Sequence, residues 1–475
     1  MCRNNAAKQR LDGDRAEDPV ATDMHIWLAL LLILTLVHGL IYSLVIPPWQ
    51  APDEPGHFEY AWLIAHLGRL PTQQDLSPAF EQELLWSLYE WRYGEYIGRP
   101  LPEEMPARLD DLPSRIHVQR SRPIKGDRFS LSYAWQAIWL FPVRSQDLTL
   151  QLRICRFSSV LLNVGIIWLA LKTFLELLPP SRRYLAWAMV AVVVLLPQHT
   201  FINSMVGDGP LAELMACLVL YCWARLFRRG ITVWTVAGIV LGTVAGIWAK
   251  FTAAFLLPVD LALALWWLVR QLRGAWSRRQ AACLGAGLVV LALATWALTR
   301  LPSPLTPSRL IAAWNSLSPD RLLWVDVRGI TFGNALLYTH DSFWANFGWM
   351  NVPVSTRWYG ALLLLIGAAV LGWLLGAKER DAHPPWAAKM MWGSLLAALA
   401  AYVWEQLLTQ SSGYYQYQGR YLFPAIIPFA FLLVGGWSRI VPSQQLKLVI
   451  GSVVLFLALF DGWCIVGYLL PLYST

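Results

Sequence analysis

The chain has 475 residues, of which 56% are hydrophobic and only 14% charged, and its mean hydropathy is +0.44. That balance excludes an ordinary soluble domain, because repeated apolar runs of about 18 or more residues mark helices that cross a bilayer. The formal net charge is +8, but basic residues at membrane edges set topology before they point to nucleic acid, and no nucleic-acid partner is expected.

Met1 to Asp23 is polar and of mixed charge, which predicts a disordered cytoplasmic tail over 1–24. The run Ile26–Ile46 is longer than a signal-peptide core and lacks a small-residue cleavage site, so it reads as an uncleaved anchor. Further apolar runs fall near 157–178, 184–203, 211–227, 231–248, 251–269, 281–299, 358–376, 390–408, 422–437 and 446–468. The expectation is an all-α integral membrane fold of eleven transmembrane helices, one polytopic domain over 25–475. The 27 Trp suit aromatic belts at the two interfaces. Basic clusters at Arg182/Arg183, Arg225/Arg228/Arg229, Arg270/Arg273/Arg278/Arg279, Lys378/Arg380/Lys389 and Arg439/Lys447 share one side if the N-terminus is inside. The C-terminus is then outside. Cys2, Cys155, Cys217, Cys222, Cys283 and Cys464 are scattered and mostly fall in apolar spans, so neither a disulfide framework nor a cysteine metal site is expected.

Two long segments face outward on this topology, 47–152 and 300–357. The first opens with PPWQAPDEPGHFEYAWLIAHLGRLP, from Pro47 to Pro71, where two acids bracketed by prolines lead into an amphipathic helix. It also holds a helical pattern over Phe80–Arg92, and the short Trp-bearing stretch Ser130–Val143, expected to lie flat in the interface. The second carries Trp344, Phe347 and Trp349, which suggest another interfacial element.

Several groups in these segments could carry chemistry. Asp53 and Glu54 sit at a turn stiffened by Pro52 and Pro55, and His57 follows Asp53 by four residues on one helix face. A carboxylate beside a membrane suits a general base; the competing reading makes Asp53 a helix cap. Lys250 is a lone cation between apolar helices, which means either an anion partner or a snorkelling side chain. Arg420 stands among Tyr414, Tyr415, Tyr417 and Tyr421, a setting for phosphate or for an aromatic belt. Asp208, between Gly207 and Gly209, either binds ligand or caps the next helix. Arg153 and Arg156 oppose the charge trend and so invite an anion, whereas His199 reads as a buried polar group. All converge on the outer face. A base beside several cations at a lipid boundary matches transfer from a lipid-phosphate donor. Asp53 and Glu54 are then the catalytic candidates, Lys250, Arg420, Arg153 and Arg156 the donor-phosphate candidates, and His57, Asp208, Tyr417 and Trp349 the substrate contacts. If a divalent cation (Mg or Mn) takes part, Asp53, Glu54 and Asp208 are the residues that would hold it.

The layout resembles the GT-C superfamily of membrane glycosyltransferases, in particular its protein O-mannosyltransferase and aminoarabinose-transferase branch. The resemblance rests on PDE at 52–54 after the first helix and GTVAGIWAK at 242–250. A group of bacterial polytopic proteins is closer still, with motifs that read here PDEPGHF (52–58), SFWANFGWM (342–350) and GRYLFP (419–424). The resemblance implies a polyprenyl-phosphate sugar donor, a glycan, lipid or protein acceptor, and reaction on the outer face of the cytoplasmic membrane. Asp53 matches the catalytic acid position, and Lys250 and Arg420 match donor-phosphate positions. The chain departs from the pattern at FSLSYAW (129–135), where relatives often have Pro-Pro-Leu-Tyr, and at Gly207–Asp208, where they often have Asn-Asp. Two other classes compete: a transporter or flippase of a lipid-linked glycan, which needs no base, and a noncatalytic scaffold, which needs no anionic ligand.

Overall fold

The computed structural model describes residues 19–113, 116, 118, 130–271, 285, 287, 332–376, 383–410 and 417–474. The expected tail up to residue 18, nearly all of the apolar run 281–299, the stretch 300–331, and Cys2, Cys283, Arg273, Arg278, Arg279, Lys378, Arg380, Tyr414 and Tyr415 lie outside the described residues.

In hydrocarbon every backbone N–H and C=O must be satisfied within its own segment, so apolar runs become helices. Among the described residues, eight helices are long and apolar enough to cross a membrane. They fall in Met24–Val45, Leu148–Leu177, Gly209–Arg229, Phe251–Gln271, Thr356–Leu375, Pro385–Gln406, Gly419–Ile440 and Ser443–Tyr473. The expected span near 184–203 is a bent pair, Pro180–Val194 and Pro197–Asn203, that turns by 65°. Pro197 opens the second helix of that pair and has no N–H to continue the first. The run near 231–248 is a 17-residue apolar helix, Val233–Ala249.

In chain order the helices are α1 (Pro19–Val45), α2 (Glu54–Leu67), α3 (Pro78–Glu90), α4 (Leu131–Leu140), α5 (Leu148–Leu177), α6 (Arg183–Val194), α7 (Pro197–Asn203), α8 (Gly209–Arg229), α9 (Val233–Ala249), α10 (Leu256–Gln271), α11 (Phe332–Trp344), α12 (Thr356–Leu375), α13 (Pro385–Gln410), α14 (Ile426–Ile440) and α15 (Ser443–Trp463). Helix α5 runs through the middle and packs against α1, α4, α6 and α8. Its first turns enter a second apolar core, a lobe built around Trp49, Phe58, Phe80, Leu84, Leu140 and Leu152. The lobe caps one end of the bundle. The described basic clusters gather at the other end: Arg228 donates to the carbonyls of Leu175 and Glu176, and Lys447 lies over the Tyr184 ring.

Helix α4, at ten residues and about 15 Å, is too short to cross about 30 Å of hydrocarbon. It packs on α2 and α5 and leaves Ile138 and Phe141 exposed. The second expected interfacial element is different. Trp344 and Phe347 are buried and Trp349 is half-buried, because a two-stranded hairpin, β1 (Asn346–Phe347) with β2 (Val352–Pro353), tucks Phe347 between Tyr42 and Phe201. These aromatics are core rather than belt.

One ion pair fastens the lobe to the bundle. Arg156, on α5, binds both carboxylate oxygens of Glu54 at 2.8 and 2.7 Å. Its remaining donors go to the carbonyls of Ser43, Ile46 and Pro47. Glu54 also accepts the N–H groups of Trp49 and Val206. All five guanidinium hydrogens are thus used, and both carboxylate oxygens are doubly bonded to donors. Removing one partner of such a buried pair leaves an uncompensated charge. Arg156→Met should therefore cost about 3–5 kcal/mol of stability, and Glu54→Met added to it should restore part of the loss. Thermal unfolding of the detergent-purified variants measures both, and an Arg156→Met protein as stable as wild type would refute the fastening role.

Candidate functional site

Three motifs that are far apart in sequence meet at the lobe end. Asp53, in PDEPGHF, holds a left-handed backbone at φ 64°, a region that Asp enters more readily than most residues. Its side chain makes no cap bond to α2. Instead it accepts from Arg420 Nη2 at 3.2 Å. Arg420 belongs to the 3-10 turn Gly419–Ala425 that leads into α14. That turn lies against α11: the Gly419 N–H donates to Ser342 Oγ at 2.9 Å, and a Cβ at Gly419 would strike the backbone of Phe343. So GRYLFP docks on SFW. The hairpin following SFW docks in turn on the acidic loop, where Trp349 Nε1 donates to the Trp49 carbonyl at 2.8 Å.

A second pair stands beside the first. Lys250 follows the last residue of α9 and donates to Asp208 Oδ1 at 2.7 Å. Asp208 also makes no cap bond to its helix, α8. Glycines on α9 bring the two helices together: a Cβ at Gly242 would lie 2.8 Å from Val219 and one at Gly246 3.3 Å from Met215, both on α8. The close crossing sets the end of α9 beside the start of α8. Lys250 Nζ lies 5.3 Å and Arg420 Cζ 5.4 Å from the centre of one ring, that of Tyr421. The two cations are therefore separated by less than two Debye lengths, about 16 Å at physiological salt.

The other candidates divide between this cluster and the scaffold. His57 joins the cluster: it interacts electrostatically with Asp208, Asp53, Lys250 and Arg420, and its Nδ1 is 2.7 Å from Tyr133 Oη. Tyr417 is half-buried and close enough to Tyr402 to interact with it electrostatically. Glu54 and Arg156 are committed to each other, with 0% and 2% of their side chains exposed. Asp53 and Asp208 keep 26% and 23% exposed and are reachable. Arg153 is exposed on the first turns of α5, outside the cluster, and Trp349 braces the acidic loop. His199 is buried against Glu213 at 2.6 Å. A divalent cation does not fit: Glu54 is saturated, Asp53 and Asp208 each carry a cationic partner, and no three His, Cys, Asp or Glu converge among the described residues.

The sequence reading missed the strut that holds the cluster. Ser130 Oγ donates to the Ala249 carbonyl, Ser132 Oγ to that of Asp208, and Gln136 Nε2 to that of Gly207. The head of α4 thus grips both loops that carry the Lys250–Asp208 pair. The available signal was Ser132 and Gln136, four residues apart on one face of an otherwise apolar helix.

Below Tyr421 lies an apolar groove of about 370 Å³. Phe251, Phe255 and Pro258 form one wall, and Ala397, Ala401, Trp404 and the acid Glu405 of α13 the other. Several α13 residues beside it are exposed, and no membrane-crossing helix covers them among the described residues. Thr252 Oγ1, in its lining, and Arg420 Nε, at its head, are buried and make no hydrogen bond among the described residues.

A family model for predicted membrane proteins, DUF2142, matches residues 36–429. The chain belongs to that family. No curated protein and no solved structure matches it. In this DUF2142 chain the match spans Asp53, Asp208, Lys250 and Arg420, so the whole cluster falls inside the region that defines the family.

The charge states follow from the surroundings. Burial holds the His57 imidazole below its ordinary 6.5, against the opposing pull of Asp208 and Asp53. Burial pushes Asp208 upward, but Lys250 and His57 outweigh it and hold the carboxyl below 3.8. Burial likewise pulls Lys250 down, but Asp208 outweighs it and keeps the ammonium above 10.5. At neutral pH Asp208 is therefore an anion, Lys250 a cation and His57 a neutral imidazole. The unfolded chain takes up a proton at His57 near pH 6.5, while the folded chain resists until lower pH. Stability is therefore lost as pH falls below about 6.5, and the loss levels off once folded His57 is protonated. His57→Gln should lose less melting temperature than wild type between neutral pH and about pH 5. Parallel losses in thermal scans would exclude a buried neutral His57.

Proposed function

We propose that this chain is a membrane glycosyltransferase of the GT-C type that moves a sugar from a polyprenyl-phosphate donor to a glycan, lipid or protein acceptor, with inversion. One observation carries the reading: two cations share a single aromatic ring at the head of an apolar groove. That arrangement suits an amphiphile with an anionic head and a hydrocarbon tail. The phosphate lies on Lys250 and Arg420, and the chain lies between α10 and α13. Thr252 Oγ1 and Arg420 Nε supply donors that make no hydrogen bond among the described residues.

In the reaction the acceptor oxygen attacks the anomeric carbon as its proton passes to Asp53. The bond from that carbon to the phosphate oxygen breaks, and the electron pair leaves on the prenyl phosphate. Lys250 and Arg420 stabilise the charge that grows there. Glu54 serves to hold the loop, and Arg156 serves Glu54. Tyr133, through His57, completes the polar wall. The described basic clusters at the far end support a cytoplasmic placing of that end by the positive-inside rule. The lobe then lies outside the cytoplasmic membrane of a bacterium, the N-terminus inside, and the run 281–299 completes eleven spans. A transporter with alternating access carries broken helices in related pairs. The α6–α7 bend is the single such break among the described residues.

Three measurements test this. Asp53→Asn should lower turnover of polyprenyl-phosphate sugar by about 10²–10⁴-fold while donor binding persists; near-normal turnover would remove Asp53 as base. Lys250→Met and Arg420→Gln should each weaken donor binding by about 1.5–3 kcal/mol, with a double variant that falls short of the sum; strict additivity would separate the two cations into different sites. Cysteines placed at Gln73 and Ser303, but not one at Ser277, should react with an impermeant reagent added from outside; labelling at Ser277 would invert the topology.

A further inference from the structure

Each cation of the cluster holds a carboxylate. Arg420 holds Asp53, Lys250 holds Asp208, and the four charges sum to zero. An anion that enters meets no vacant cation. It must take the place of a carboxylate, and the two aspartates are its competitors. The pairs are built for exchange in a way that the third is not. Arg156–Glu54 is closed by seven hydrogen bonds around its two side chains and is sealed from solvent. Arg420 meets Asp53 through a single bond of 3.2 Å, and its Nε is buried without a hydrogen bond among the described residues. Neither aspartate is held by a cap bond to its own helix.

We propose that Asp53 and Asp208 are stand-ins for the oxygens of a ligand phosphate, and that a phosphate ester binds by displacing them from Arg420 and Lys250. The exchange gives Asp53 two states. Paired with Arg420, one of its carboxylate oxygens is occupied by the guanidinium. Released by the phosphate, that oxygen is free to accept a hydrogen bond from an incoming hydroxyl. The base is thus armed only when the anion is in place, so the anionic substrate must bind before an acceptor can be deprotonated. The identity of that ligand as a prenyl phosphate rests on the function proposed above; the exchange itself does not.

The test is binding of farnesyl phosphate to the purified full chain in detergent, by calorimetry, with inorganic phosphate and farnesol in parallel. Asp53→Asn is nearly isosteric and, like Asp, tolerates the left-handed backbone, so folding should survive; Asp208→Asn is the second variant. Exchange predicts that Asp53→Asn binds farnesyl phosphate about ten- to a hundredfold more tightly than wild type. It also predicts that the gain disappears when Arg420→Gln is already present, because no pair is left to break. A gain that persists in the Arg420→Gln background is a general field effect and overturns the exchange, as does unchanged or weaker binding by both aspartate variants. Inorganic phosphate that shows the same dependence as tightly as farnesyl phosphate keeps the exchange and discards the lipid ligand. Farnesol bound as tightly as farnesyl phosphate overturns both.

Discussion

The buried contact between Arg156 and Glu54 sets where the loop after α1 goes, and with it the position of Asp53. A guanidinium taken out of water is stable only when its donors are met in good geometry. Here the partners are one carboxylate and three carbonyls of the chain as it leaves α1. The loop has no freedom to settle elsewhere. Glu54 starts α2, and Asp53, one residue earlier, is turned the other way by its left-handed backbone. Two adjacent acids therefore acquire opposite duties: Glu54 is sealed into the fold, and Asp53 is held facing the cluster.

Much of the scaffold was legible because the bilayer makes it so. Hydrocarbon forces apolar runs into helices, and ten of the eleven expected runs fall on helices among the described residues. Asp53, Lys250, Arg420, Asp208 and His57 stood out for a related reason: a charge amid apolar sequence is costly, so its presence advertises a partner. What sequence could not supply was who partners whom. Glu54 and Arg156 look like a catalytic acid and a phosphate ligand when each is read alone, whereas in the fold each is paired with the other. Trp344 and Phe347 have the composition of an interfacial belt, yet the hairpin buries them. Composition cannot separate an aromatic facing lipid from one facing Tyr42 and Phe201. The grip of Ser130, Ser132 and Gln136 on backbone carbonyls was invisible because its targets carry no side-chain signal.

Placing two cations against one tyrosine ring is unfavourable by itself. Like charges at such separations repel in a low-dielectric setting, and each must also give up water. The arrangement is tolerable because each cation has its own carboxylate and a share of the ring's negative face. It follows that no member of the set is independent. Moving Asp208 alters what Lys250 costs, and that in turn alters what Arg420 costs through the shared ring. The close crossing of α8 and α9 at Gly242 and Gly246 is thus electrostatic as well as steric in its effect, since it fixes how near Lys250 stands to Asp208.

The groove gives this charge arrangement a direction. It begins under Tyr421, the ring that both cations flank, and runs along a wall of alanines on α13. Small side chains there leave room for a chain to lie, and the aromatic at the head marks where hydrocarbon gives way to charge. A soluble anion would need the cations but has no use for the groove. A neutral lipid would fill the groove but has no use for the cations. An amphiphile would use both, and its head would come to rest beside Asp53.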